Sequence, residues 1–466
     1  MAVKQLNVGD VEIEELVINA GSGTYDLVPH LEEINIYENI FSNHLTGHLT
    51  LVDTFNIPYK APIIGEETIG CRIRMVGDTG EHILDPPFMH IHDLRDRFQQ
   101  TNARQRFSLQ LVSEQCMSNL HCRVSKSFKD WSISDIVTDI HNVYLDDDRN
   151  GISVEETHGI ETCIIPNWDP HTAFNWLASR ARPASAPNAV NYLFFETMDG
   201  TFFKSLQTLA TQTAAVTFVL QQRVDDAHKI EALANSRVVK VDHILYMNQF
   251  EKIDNIMSGM YSSTLVTHDI TKKKIAQFDY NGFDDWPAYT HVSPHPPINN
   301  SPTEVQAGNT QRNSLAPSVF PEVPIIDEGR RLSDFTDSVV KFFPKHDQMY
   351  GATSGEKYDN DVVEWRLQRN AHISYYNGIR MQVQCGGLDF VRVGMIVGLI
   401  VPRVEGNLRS TDESYDKFLT GRYMVSAIRH IITQSDGTNY KMMIELIKDG
   451  LGDRPGYRAP TKTGVA

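Results

Sequence analysis

Residues 39–53 read Asn-Ile-Phe-Ser-Asn-His-Leu-Thr-Gly-His-Leu-Thr-Leu-Val-Asp, and residues 255–269 read Asn-Ile-Met-Ser-Gly-Met-Tyr-Ser-Ser-Thr-Leu-Val-Thr-His-Asp. The two stretches align without a gap. Asn39, Ile40, Ser42, Leu49 and Asp53 face the identical Asn255, Ile256, Ser258, Leu265 and Asp269. From Leu45 the first stretch alternates, with Leu45, Gly47, Leu49 and Leu51 on one side and Thr46, His48 and Thr50 on the other. That period of two is the signature of a half-buried β-strand. The pair predicts an internal duplication of a β-rich domain. The alternative is two unrelated strands of similar composition.

A chain of 466 residues has room for roughly three domains of ~150 residues. The net charge is −16, which argues against a nucleic-acid phosphate surface or an anionic membrane surface as partner, since both need clustered Lys and Arg. Met1 to Gly9 carries no apolar leader, and no apolar run nears the length of a spanning helix. The five cysteines, Cys71, Cys116, Cys122, Cys163 and Cys385, are odd in number and scattered, so reduced thiols and assembly in a cytoplasm are expected.

The N-terminal part is dense in strand signals: Val11–Val17, Ile34–Ile36, Asn39–Val52, Ile69–Val76, Phe88–Leu94 and Arg106–Val112, with a loop at Pro58, Pro62 and Gly65. The texture then changes. Ser132 with Asp135 predicts a capped helix carrying Ile133, Ile136, Val137 and Ile140 at helical spacing. Asp169-Pro170 starts a second helix, with Phe174, Leu177, Ala178 and Ala181 inside. A hairpin follows, Asn191–Phe195 and Thr201–Phe203 around Asp199-Gly200. Arg237–Tyr246 alternates again. Pro287–Pro324 is Pro-rich and predicts an extended insertion. Helical spacing resumes at Leu332, Phe335, Val339 and Phe342, and again after Asp361, whose box partner is Glu364. Strands return at Gly378–Cys385, Val391–Val401, Gly421–Thr433 and Asn439–Ile447. The expected organisation is therefore α+β and mainly β. A first tube-like β domain spans 1–113 and an α+β domain 114–225. A second β domain is split into 226–280 and 374–450 by an insertion at 281–373, and 451–466 forms a tail.

The candidates for chemistry are weak. His90 and His92 place two imidazoles on one strand, two short of a zinc set, with His121 and Cys122 distant in sequence. Asp146–Gly151 imitates the start of a calcium loop, but its twelfth position is Thr157. Gly351–Gly355 has its serine one place late for a nucleophile elbow, and Gly21-Ser22-Gly23 lacks the setting of a dinucleotide site. Trp131, Trp168, Trp176, Trp286 and Trp365 read as packing anchors. No catalytic, cofactor-binding or metal residue is assigned, and a non-enzymatic chain is expected.

Four places carry a family resemblance. They are the repeated element at Asn39–Asp53 and Asn255–Asp269, Pro166–Pro170 leading into Phe174–Ala178, the apolar strand Gly394–Pro402, and the closing run Leu419–Val425, Ile428–His430 and Tyr440–Leu446. Their order resembles the baseplate hub proteins of contractile-tailed phages, related to the hub part of type VI secretion spike proteins. The resemblance implies two similar tube-like antiparallel β-barrel domains and a homotrimer whose six units match a sixfold tail tube to a threefold spike. It further implies the spike, the tube or its initiator ring, the tape-measure protein and other baseplate subunits as partners, DNA only as passing cargo, and residence in the virion tail without a membrane anchor. The chain's acidity suits a lumen through which cargo slides. The alternatives are the hub of a type VI or pyocin-like machine, which a C-terminal β-helical spike would favour, and a carbohydrate-active enzyme, which a signal peptide and a sugar cleft would favour.

Overall fold

The computed structural model describes residues 9–452 apart from 10, 76–82, 85, 87–88, 146–150, 187–188, 221–236, 271–272, 298–332, 334, 346–361, 404–414 and 435–436. The chain is α+β and mainly β. A first β unit holds β1 (Val11–Ala20), β2 (Gly23–Asp26), β3 (Leu31–Asn39), β4 (Thr46–Asp53), the short helix α1 (Ile57–Lys60), β5 (Thr68–Met75), β6 (Ile83–Leu84), β7 (Met89–Thr101) and β8 (Arg104–Ser113). Along β4 the sequence alternation shows in the burial of Gly47, Leu49 and Leu51 against half-buried Thr46 and His48, although Thr50 on the polar side is buried as well.

The α+β unit follows: α2 (Glu114–His121), β9 (Val124–Trp131), α3 (Ile133–Tyr144), β10 (Ile152–Val154), β11 (Glu161–Trp168), α4 (Pro170–Ala178), β12 (Tyr192–Thr197), β13 (Gly200–Ser205) and α5 (Leu206–Thr211). Both expected caps form. Ser132 accepts from the Asp135 N–H at 3.1 Å, and Asp169 accepts from the Thr172 N–H at 2.9 Å. The helical stripes of α3 and α4 meet in one apolar cluster that includes Ile136, Ile140, Phe174 and Leu177.

The second β unit opens with β14 (Val216–Val219), β15 (Arg237–Lys240) and β16 (His243–Asn248). An inserted unit interrupts it with α6 (Lys252–Ser258), β17 (Ser262–Asp269), β18 (Lys274–Asn281), β19 (Val340–Lys345) and α7 (Val362–Gly378). The second unit then resumes with β20 (Ile379–Gly386), β21 (Ile396–Ile400), β22 (Gly421–Thr433) and β23 (Asn439–Lys448).

Hydrogen bonds followed from strand to strand return to their start in each β unit. In the first, β2 and β3 are one segment bent at Val28–His30. The circuit runs β2/β3, β4, β8, β7, β5, β1 and back to β2. In the second, β15 and β16 are one segment that changes partner between Val241, bonded to Val219, and Asp242, bonded to Gln384. Its circuit runs β15/β16, β20, β23, β22, β21, β14 and back to β15. With each unit's segments numbered one to six in chain order, both circuits read 2-3-6-5-4-1, the topology of a closed barrel. Even a bulge is shared. His92 is the extra residue between Ile91 and Asp93, and Ser426 is the extra residue between Val425 and Ala427. Registering the units on that bulge matches Ile91 with Val425, Leu111 with Leu446, Leu109 with Ile444 and Leu49 with Val383, all buried.

One strand runs the other way, so the second unit is not wholly antiparallel as expected. β1 is antiparallel to β5 and, across the tight turn Gly21-Ser22, to β2, whereas β14 is parallel to both β21 and β15 and is joined to β15 by residues 220–236. Parallel neighbours need a crossover of that length, and a two-residue turn permits only the antiparallel arrangement.

The structure corrects the sequence on the repeat. Thr46–Asp53 and Ser262–Asp269 are strands with aligned limits, but β4 pairs β3 and β8 in the large sheet, while β17 pairs β18 and β19 in a separate three-stranded sheet. Residues 255–258 are helical in α6, where their aligned partners end β3 and enter a turn. The counterpart of β4 in the circuit is β20. The two β units share a strand order, but the matched stretch does not mark it, because a strand-like run and a closing Asp are properties of many strands. A second correction concerns Phe335–Phe342, expected to be helical. They form a single 3-10 turn, Thr336–Ser338, and then β19, which gains a parallel partner in β17. Leu332, Asp361, most of the Pro-rich segment and the tail after Gly452 lie outside the described residues.

One apolar cluster runs through both β units, with Leu49 and Leu109 joined to Val383 and Ile444. The two units are therefore expected to unfold together. Leu109→Ala and Ile444→Ala should each cost about 2–5 kcal/mol and shift the same calorimetric transition. Separate transitions moved by the two variants would contradict the shared core.

Candidate functional site

The feature that sets this molecule apart is the junction where β3 of the first unit and β22 of the second pair antiparallel, from Asn39 against Ala427 to Glu33 against Thr433. Its two faces differ. On one face Ile34, Ile36, Ile428 and Ile432 are buried in the common cluster. On the other face a polar ladder crosses the seam. Arg429 donates to Asn35 Oδ1 at 2.7 Å, lies 3.4 Å from Glu33 and covers the Tyr37 ring at 5.9 Å. Asn35 is fully buried and also bonds Glu33 and His48, whose other ring nitrogen reaches the Tyr37 hydroxyl at 3.0 Å.

Glu38 sits on the inward side of β3, at the same parity as Ile34 and Ile36, and is 1% exposed. Three units converge on it. Its carboxylate accepts from the Met198 N–H at 3.1 Å, in the β12–β13 turn of the α+β unit, and from the Val393 N–H at 3.3 Å in the second β unit. Arg392 lies 3.8 Å away and His430 Nε2 3.7 Å away, which are ion-pair separations longer than hydrogen bonds. Arg392 in turn donates to Asp199 at 2.9 Å. Burial by itself would raise the Glu38 carboxyl. His430 and Arg392 beside it, together with the Met198 N–H, outweigh burial and hold it below its ordinary value.

Buried carboxylates tie the other units as well. Glu196 of β12 accepts from the Leu45 N–H at 2.9 Å and from the Ser113 hydroxyl at 2.6 Å, fastening the α+β hairpin to the first β unit. Asp449, just after β23, accepts from the N–H groups of Val292 and Ser293 and lies 2.8 Å from His291. His291 stacks on Trp286 with centroids 3.4 Å apart, so the inserted unit rests against the end of β23. Each carboxylate accepts N–H groups that a neighbouring unit presents. The arrangement fixes units relative to one another.

The sequence candidates are dispersed. His90 is half-buried beside Thr68, while His92 is exposed at the bulge. Cys122 donates its thiol to the Tyr144 carbonyl. Among the described residues no three His, Cys, Asp or Glu side chains converge as metal ligands would. Asp146–Asn150 and Gly351–Gly355 lie outside the described residues, and Thr157 joins the start of α3 by accepting from the Ser134 N–H. Trp286 and Trp365 are buried, Trp168 packs edge-on against Trp176, and Trp131 is 40% exposed. His171 and His372 are pushed down by burial, to about 4 and about 3, and are neutral packing groups at pH 7. Glu38, Arg392 and His430 escaped the sequence reading. Their signal was present: Glu38 and His430 occupy inward positions of alternating strands, where a charge has to be answered by a partner.

No protein-family model and no curated protein matches the sequence. Solved structures match the fold. The tail protein from Neisseria meningitidis MC58 aligns with a TM-score of 0.50 at 10% identity, covering 95% of this chain and 98% of that one. The 43 kDa tail protein of prophage MuSo2 from Shewanella oneidensis aligns at 0.49 and 11% identity, covering 94% and 98%. An Escherichia coli component of the type VI secretion system, described as similar in structure to the bacteriophage T4 tail proteins gp27 and gp5, aligns at 0.41 and 8% identity, covering 97% and 79%. The likeness is one of fold: along nearly its whole length this chain shares the fold of the Neisseria meningitidis tail protein.

The Glu38 site generates a prediction with a defined sign. A carboxyl whose folded value is depressed stabilises the native state above its unfolded value, about 4.3 for Glu, and loses that contribution as the pH falls through its lower folded value. Denaturation measured from pH 7 down to pH 3 should show this loss, and Glu38→Gln should flatten it. Glu38→Ala, which leaves two buried N–H groups unanswered and removes one of the two carboxylates beside Arg392, should cost about 3–5 kcal/mol at pH 7.

Proposed function

We propose that this chain is a structural hub of a contractile tail: a homotrimer at the centre of the baseplate that joins a threefold spike to a sixfold tail tube. The observation that carries the reading is the repeated circuit. Each chain contains two β units of one strand order, fused edge to edge through β3 and β22. Three chains would supply six such units, so one assembly could meet threefold and sixfold partners. Closing each sheet on itself and pairing the remaining edges removes strands that otherwise aggregate. The whole-length likeness in fold to a tail protein supports the same reading.

On this reading the work is mechanical. The tube or its initiator ring would sit on the ring of β units, with the spike beneath and the tape-measure protein and other baseplate subunits as further partners. DNA would pass only as cargo. An acidic chain, at net −16, would line such a passage with a field that repels phosphate. The proposed location is the virion tail, after assembly in the host cytoplasm. No enzymatic step is assigned. Among the described residues no helix is long and apolar enough to cross a membrane.

Light scattering on the purified chain should return three times the mass of one chain. Addition of the cognate spike should give a complex of one trimer with one spike. A chain that stays monomeric alone and with every tail partner would overturn the hub.

A further inference from the structure

We propose that β7 of one chain pairs antiparallel with the outer edge of β16 in a second copy, repeating between chains the β3·β22 junction that each chain makes within itself. This deepens the trimer reading and rests on it. It names the surfaces by which the copies join.

The shared strand order makes the inference specific. In the circuits β16 occupies the place of β3, and β7 occupies the place of β22. β22 is a divided strand: Gly421–Met424 pair with β21 of its own unit, and past the bulge at Ser426 the strand turns to β3 of the other unit. β7 is divided in the same way. Met89 and His90 pair with β5, and past the bulge at His92 the strand keeps β8 on one side and has no strand on the other among the described residues. β3 has β4 on one side and β22 on the other. Its counterpart β16 has β20 on one side and no strand on the other among the described residues. One edge of each kind is thus joined within the chain, and one edge of each kind is left over.

The side chains fit a seam. Leu245, Tyr246 and Met247 on β16 are 48%, 41% and 49% exposed, and Phe98 on β7 is 48% exposed. Unpaired edges bearing large apolar groups invite pairing. Registration on the shared bulge places Arg95 where Arg429 stands. Arg429 faces Tyr37 across the internal seam, and the corresponding place on β16 falls at Met247–Asn248. An Arg at that position can again lay its apolar stem along the neighbouring strand. Arg95 is exposed and, among the described residues, is bonded only to Asp93, at 2.5 Å. The junction joins two different edges, so repeated application propagates until it closes on itself, and three chains give six units in a ring.

The test is made on the full-length chain. Arg95→Cys and Met247→Cys are combined in one variant and treated with a short thiol-to-thiol cross-linker. The wild type and the two single variants, which carry the same native cysteines, serve as controls. Denaturing gels should show covalent dimers and trimers for the double variant, at least tenfold above the controls. In parallel, Leu245→Lys with Met247→Lys should reduce the solution mass from three chains to one, with unchanged circular dichroism. A trimer that cross-links no better than the controls and survives the two lysines would overturn this junction and leave the hub reading in place. A wild-type chain that is monomeric at 100 μM would overturn the trimer itself.

Discussion

The molecule depends on backbone hydrogen bonds between two strands that lie almost at opposite ends of the chain. Asn35 and Arg429, which meet across the β3·β22 seam, are 394 positions apart. Without that pairing each β unit would present an open edge and part of an apolar face to water. With it, one apolar cluster serves both units. The backbone bonds are not specific by themselves, because any strand edge can pair with any other. Specificity comes from side chains at the seam. Apolar residues lie on one side and the Arg429, Asn35 and Glu33 ladder on the other. Glu38 stands at the end, where a displaced register would leave a buried carboxylate with no partner.

Carboxylates recur wherever units meet, and the reason is physical. An ionised carboxylate accepts several hydrogen bonds, so a single side chain can satisfy N–H groups from separate segments in a space closed to water. Glu38 does this with Met198 and Val393, and Glu196 and Asp449 likewise accept donors from across a unit boundary. Their removal is costly because the donors they answer are buried too. This gives the chain rigid unions between parts that are otherwise separate sheets.

Much of the fold was legible in the sequence, because strands and helices are fixed by local periods. Gly421–Thr433 reads as a strand and is one, residue for residue, and the Ser132 and Asp169 caps form as their motifs require. The repeat was misread for the same reason that it was visible. Residues 262–269 match 46–53 at Leu265 and Asp269, and both make strands, but a local match carries no information about the neighbour. The helical spacing of Phe335, Val339 and Phe342 was overridden in the same way, since β17 offered a partner to an extended segment. The inward Glu38 and His430 were readable as anomalies, although nothing local to β3 or β22 identifies them as neighbours.

By itself the sequence determined the class: an acidic, strand-rich chain with one α+β interlude and an insertion, whose candidate metal and nucleophile motifs are all incomplete. It determined the periods, the caps and the breaks, because these depend on residues within a few positions of one another. Tertiary structure decided which strands are equivalent, that β20 and not β17 answers β4, and that the two units share a seam at Glu38. Those outcomes rest on pairing between distant segments, where hydrogen-bond satisfaction and joint burial choose among many strands of equal local quality.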